Sequence, residues 1–184
     1  MDSKALIDKY YSQNSLAYSM LIIHGKVVSQ KALSIAKRFQ EKNSSIKLNF
    51  KLIEEAALLH DIGVQFVHDP VLGCQGKLPY ICHGYLGAEL LRKEGLPFHA
   101  LICERHVGVG LSKADIIAQQ LPLPHRDMIP LSWEEKIVCF SDKFFSKNKE
   151  YLTKEKSLEK IRVSVQKWGE DKVKIFDEWC RLFL

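Results

Sequence analysis

The apolar run AALLHDIGV, residues 56–64, ends in two adjacent metal-competent side chains, His60 and Asp61, with Gly63 two positions later. Successive helical residues point about 100° apart, so the pair cannot lie flat on one face. At a helix end it can reach around a common point, His60 with a ring nitrogen and Asp61 with a carboxylate able to bridge two ions. Gly63 would then end the helix in a left-handed conformation and turn the chain away. A second pair, His68-Asp69, precedes Pro70, which forces extended backbone before it; it reads as a solvated loop.

Four further residues have matching chemistry. His24 lies near Leu21, Val27 and Val28, and His83 opens the segment CHGYLGAELL. His106 precedes flexible glycines in ICERHVGVG, and Asp142 sits in the apolar-rich KIVCFSDKFF. A carboxylate buried there without a partner would cost several kcal/mol. Taken singly, each has an ordinary explanation as a core histidine, a cap or a solvated acid. Together, His24, His60, Asp61, His83, His106 and Asp142 form an imidazole and carboxylate set suited to one or two divalent ions per chain: Fe, Mn, Zn, Ni or Mg. A bridging carboxylate can hold two ions about 3.5–4 Å apart, the separation that clamps a phosphoryl displacement.

These residues must be positioned by helices. Leu21, Val28, Ala32, Ile35 and Phe39 recur at helical spacing within Leu16–Phe39, and Leu52, Ile53, Ala56, Ala57 and Leu59 continue a second helix. A third is expected over His83–Lys93, with Gly95 and Pro97 as its stop. Ser112 with Asp115, and Ser132 with Glu135, match capping boxes. The proline-rich stretch PLPHRDMIP, residues 122–130, reads as a loop, and amphipathic segments at 153–167 and 170–183 finish the chain. No alternating strand series occurs, so the expectation is a compact all-α domain over residues 1–184, with a core at 18–147 and C-terminal helices at 153–183.

Composition agrees with that expectation. With 184 residues, 46% hydrophobic and 27% charged, the chain can bury one core. The net charge of +5 is dispersed among acidic residues, which argues against a nucleic-acid surface and leaves local cations for a small phosphorylated substrate. The N-terminus MDSKALIDKYYS lacks a signal-peptide pattern, and the apolar runs are too short to span a membrane. A cytoplasmic location is expected, with homo-oligomerisation left open. Five cysteines without CxxC spacing read as buried free thiols.

The order of His24, His60-Asp61-Ile62-Gly63 and Asp142 resembles the HD-domain metal-dependent phosphohydrolases, specifically the HDIG branch, over residues 18–147. The resemblance implies a helical bundle with a central metal site. His24, His60, Asp61 and Asp142 would ligate a first ion; His83 and His106 match the intervening histidines of dinuclear members, in which Asp61 would bridge. Members that open cyclic dinucleotides carry a lysine after the HDIG glycine and a GYP element; here Val64 and His83-Gly84-Tyr85 depart from both. Size and histidine pattern look more like the small members acting on dinucleoside polyphosphates or nucleotides.

The activity so implied is metal-assisted hydrolysis of a phosphate ester or anhydride. Asp61 would fix the ions and orient hydroxide, and Glu104 would serve as a supporting group or general acid/base. Arg105, Lys143, Lys77 and Lys113 would be cations for substrate phosphate. Two other classes fit the same ligands: a nucleotide-binding HD module that is regulated or lacks turnover, and a di-iron oxygenase.

Overall fold

A computed structural model describes residues 2–148 and 150–184. The first helix, α1 (Ser3–Tyr10), is followed by the 27-residue α2 (Leu16–Lys42). Helix α2 begins at Ser15, whose hydroxyl accepts from the Tyr18 amide, and buries Leu21, His24, Val28, Ala32, Ile35 and Phe39. That spacing of three and four residues is one helix face. Asn49 caps α3 (Phe50–Leu59) by accepting from Leu52, and a 3-10 turn over Ile62–Phe66 follows directly. Next come α4 (His83–Lys93), α5 (Pro97–Arg105), α6 (Lys113–Ala118), α7 (Trp133–Asp142), α8 (Leu158–Gln166) and α9 (Glu170–Phe183). The all-α expectation holds, with one small addition: two-residue strands β1 (His68–Asp69) and β2 (Cys74–Gln75) pair antiparallel. The second His-Asp pair therefore lies in a short hairpin, where Asp69 accepts from the amides of Val71 and Leu72.

Several boundaries differ from expectation for local reasons. Pro97 starts α5 rather than merely ending what precedes it, because the first helical position needs no N–H donor. Helix α8 begins only after the Ser157 cap, later than position 153. Ser112 and Asp115 form the full capping box; Ser132 accepts from the Glu135 amide, but the Glu135 carboxylate turns to the Leu131 amide instead. Residues 122–130 lack helix, as expected.

The largest core joins Val28 and Ile35 of α2, Ile53 and Ala57 of α3, Val138 and Phe140 of α7, and Phe176, Trp179 and Phe183 of α9. A second core packs Leu6 and Ile7 of α1 against Leu21, Leu59 and Leu91. Gly63 does not take the left-handed conformation expected of it. It lies where the 3-10 turn crosses α4, and a Cβ there would stand 2.1 Å from the His83 carbonyl oxygen and 2.4 Å from the Gly87 amide nitrogen. Close backbone approach, not a helix stop, is what requires glycine at this position.

Candidate metal centre

The ends of four helices and the middle of a fifth converge on one buried point. His60 is the C-cap of α3, Asp61 opens the 3-10 turn, His83 is the first residue of α4, His106 the C-cap of α5, and Asp142 the last residue of α7. His24 enters from the middle of α2. His24, His60, Asp61, His83 and His106 are all 5% exposed or less.

The donor atoms interleave. His24 Nε2 is 2.9 Å from Asp142 Oδ1 and 3.4 Å from Asp61 Oδ2. His60 Nε2 is 3.0 Å from Asp61 Oδ2 and 3.4 Å from Asp142 Oδ1. On the other side of the same carboxylate, His83 Nε2 and His106 Nε2 lie 3.2 and 3.5 Å from Asp61 Oδ1. Asp61 therefore faces two groups of candidate ligands with two different oxygens. Two triads, His24/His60/Asp142 and His60/Asp61/His106, each bring their donor atoms within 4.8 Å of one another.

The histidine tautomers follow from their neighbours. The Nδ1 atoms of His60, His83 and His106 each lie 2.7 Å from a backbone carbonyl, those of Ala57, Tyr80 and Cys103. A carbonyl only accepts, so each Nδ1 must bear the proton and donate it, which turns Nε2 toward the cluster as a free donor atom for a cation. The Nε2 atoms of His83 and His106 face each other at 3.0 Å. As neutral rings of this tautomer they would oppose lone pair to lone pair. Both Asp61 oxygens and His60 Nε2 are also buried without a hydrogen bond. Orphaned acceptors this deep are costly unless a positive charge compensates them, and the donor set fits a divalent ion.

The chain contributes some positive charge of its own. Lys147 Nζ stands 2.6 Å from Asp61 Oδ2 as an ion pair. Lys143 Nζ is 2.9 Å from Asp142 Oδ2 and donates to the His106 carbonyl at 3.1 Å. Burial alone would raise the pKa of Asp61, but His60 and Lys147 outweigh it and hold the carboxyl well below its usual range. Asp142 is likewise held low against burial, chiefly by Lys143. Burial disfavours a charged His60, yet the Asp61 and Asp142 carboxylates reverse this and raise its pKa to about 10, so a proton competes with a divalent ion for Nε2. Burial prevails at His106, which falls to about 3.

The remaining residues singled out by sequence lie elsewhere. Glu104 is buried between Arg92, at 3.0 Å, and Arg126, and Arg105 pairs with Glu135 at 2.8 Å. The structure gives these two residues ion pairs with Arg92, Arg126 and Glu135. Lys77 and Lys113 are exposed. His68 and His125 are exposed too, whereas His99 sits within α5 and lies 3.1 Å from Glu55. Sequence reasoning missed Lys147, whose only signal was its place four residues beyond Lys143. It also missed two thiols: Cys103 Sγ donates to the His60 carbonyl at 3.0 Å, and Cys139 Sγ to the His106 carbonyl at 3.3 Å.

A family model described as HD domain matches residues 21–146, a span that contains His24, His60, Asp61, His83, His106 and Asp142. The chain belongs to the HD-domain family. An uncharacterized protein of Methanocaldococcus jannaschii is 36% identical over 129 residues, covering 70% of this chain and 68% of that protein. Proteins named tRNA (cytidine(56)-2'-O)-methyltransferase are similar as well. That of Thermoplasma volcanium is 34% identical over 80% of this chain, and that of Picrophilus torridus 33% over 71%. The matches span only 38% and 33% of those longer proteins. Among solved structures, the HD domain of the phosphodiesterase PgpH from L. monocytogenes superposes with a TM-score of 0.50 at 17% identity, covering 88% of this chain and 89% of that one. The likeness shows that the HD domain here shares that helical fold.

Proposed function

We propose that this HD domain is a metal-dependent phosphohydrolase that cleaves a phosphate ester or anhydride of a small phosphorylated substrate, a nucleotide or dinucleoside polyphosphate. The observation supporting it most directly is the facing pair of Nε2 atoms, His83 and His106 at 3.0 Å, beside an Asp61 whose two oxygens lack hydrogen bonds. In this reading His24, His60, Asp61 and Asp142 hold one divalent ion, and Asp61, His83 and His106 a second. Such ions, when bound, lower the pKa of water toward about 7 and polarise phosphoryl oxygens.

The chain's own groups do the rest. The carbonyls of Ala57, Tyr80 and Cys103 keep three imidazoles in the ligating tautomer. Asp61 presents one oxygen to each ligand group, and Lys143 and Lys147 supply positive charge where substrate oxygens would arrive. Phosphate release from a panel of nucleotides, measured for wild type and Asp61→Ala, tests this reading. The expected loss is at least about a thousandfold; equal activity in the variant contradicts it.

A second reading, a nucleotide-binding module without turnover, is favoured by the two relatives in which a similar region is part of a longer protein named for tRNA modification. Wild-type protein that binds nucleotides but releases no phosphate from any of them would support it.

A further inference from the structure

A cavity of about 180 Å3 adjoins the cluster. Its lining joins Asp142 and Lys143, at the end of α7, to Lys156, Ser164 and Trp168 of the C-terminal segment. The last three lie beyond residues 21–146, the part matched by the family model. Pockets that enclose a drug-sized ligand measure roughly 300–1,000 Å3. The present cavity therefore takes a phosphoryl group and leaves the remainder of a nucleotide outside.

Its charge selects for an anion. Lys156 Nζ donates to the Phe145 carbonyl at 2.7 Å, and no carboxylate lies within 4.0 Å of it among the described residues. An ammonium has three protons to donate, so two remain for a ligand. Burial pushes the Lys156 pKa down, as expected of a cation short of partners. Lys143 is the second ammonium; the carboxylate facing it, Asp142, also faces His24 and His60. The exposed Ser164 adds a hydroxyl.

The geometry points to a subsite for a second phosphate: the cavity at Lys143, Lys156 and Ser164 seats the phosphate adjacent to the one held at the metal cluster. The preferred substrate class is then a phosphoanhydride rather than a phosphate monoester. This rests on reading the cluster as a phosphoryl site, and the test separates the two claims.

Isothermal titration calorimetry on the metal-loaded protein would compare methylphosphonate with methylenediphosphonate, which carries a second phosphonate and cannot be hydrolysed at a P–O–P bond. The diphosphonate is expected to bind wild type at least about tenfold more tightly. That gain should vanish in Lys156→Met and in Ser164→Glu, with the metal content of wild type retained. Ser164 is on the surface, so its variant decides the matter even if Lys156→Met fails to fold. A gain that persists in Ser164→Glu, or no gain in wild type, overturns the subsite and leaves the phosphoryl reading standing. Failure of both phosphonates to bind wild type overturns the phosphoryl reading, and the subsite with it.

Discussion

At the scale of single residues, the candidate ligands were the most legible feature of the sequence, because their chemistry is written in residue type and order. His24, His60, Asp61, His83, His106 and Asp142 do meet, although they come from five helices. What sequence could not supply was the support around them. Lys147 and the thiols of Cys103 and Cys139 reach the cluster only through tertiary packing, which no local pattern records. Burial raises both thiols, Cys139 to about 12 and Cys103 well above its usual value, so they remain S–H donors to the carbonyls of His60 and His106. Two outcomes follow. Cys103 and Cys139 should resist iodoacetamide at pH 8 in the native protein and react only after denaturation, as peptide mass mapping would show. Cys139→Ala should weaken metal retention by about three- to tenfold, measured by competition with a chromogenic chelator; unchanged retention would remove the supporting role.

At the scale of elements, α4 was expected over His83–Lys93 and forms there, since its apolar spacing and stop signals agree. Helix α5 was hidden by Pro97, which has two meanings: it ends one helix and begins the next. Gly63 was noticed for the wrong reason, because close approach to His83 and Gly87 is a property of the folded contact. Gly63→Ala should destabilise by at least about 2–3 kcal/mol and displace His83, lowering stability in urea and metal content together. Loss of stability with metal content intact would show that the crossing does not position the ligands.

A second element-level prediction concerns α6. Asp115 closes its capping box and pairs with Lys172 of α9 at 2.6 Å. Burial would raise the Asp115 pKa, but Lys172 and Ser112 bring it below its ordinary 3.8. The resulting stabilisation is fully present above that value and is lost as pH falls through the folded pKa. Burial works against the Lys172 charge, yet Asp115 raises its pKa above 10.5, so this contribution is present below 10.5 and lost as pH rises through the folded value. Asp115→Asn should cost about 1–2 kcal/mol at pH 7 and less at pH 2.5; an equal cost at both would exclude the ion pair as its source.

At the scale of the whole molecule, the all-α class followed from the absence of alternating strands and held apart from the two-residue hairpin. The dependence of the site on the C-terminus was less legible, since an amphipathic segment does not state what it packs against. Phe176, Trp179 and Phe183 of α9 share one core with α2, α3 and α7, the helices that bear His24, His60 and Asp142. Phe183→Ala should therefore cost about 3–5 kcal/mol, seen as a single shifted urea transition followed by tryptophan fluorescence. Two separated transitions would mean that α9 folds as an independent unit.

In the proposed function Asp61 stands between two cation positions. Metal analysis by mass spectrometry, on protein prepared without chelator or affinity-tag metal, tests it with His106→Ala beside wild type. About two ions per chain are expected in wild type and about one in the variant. About one ion in both, or none in wild type, would contradict it.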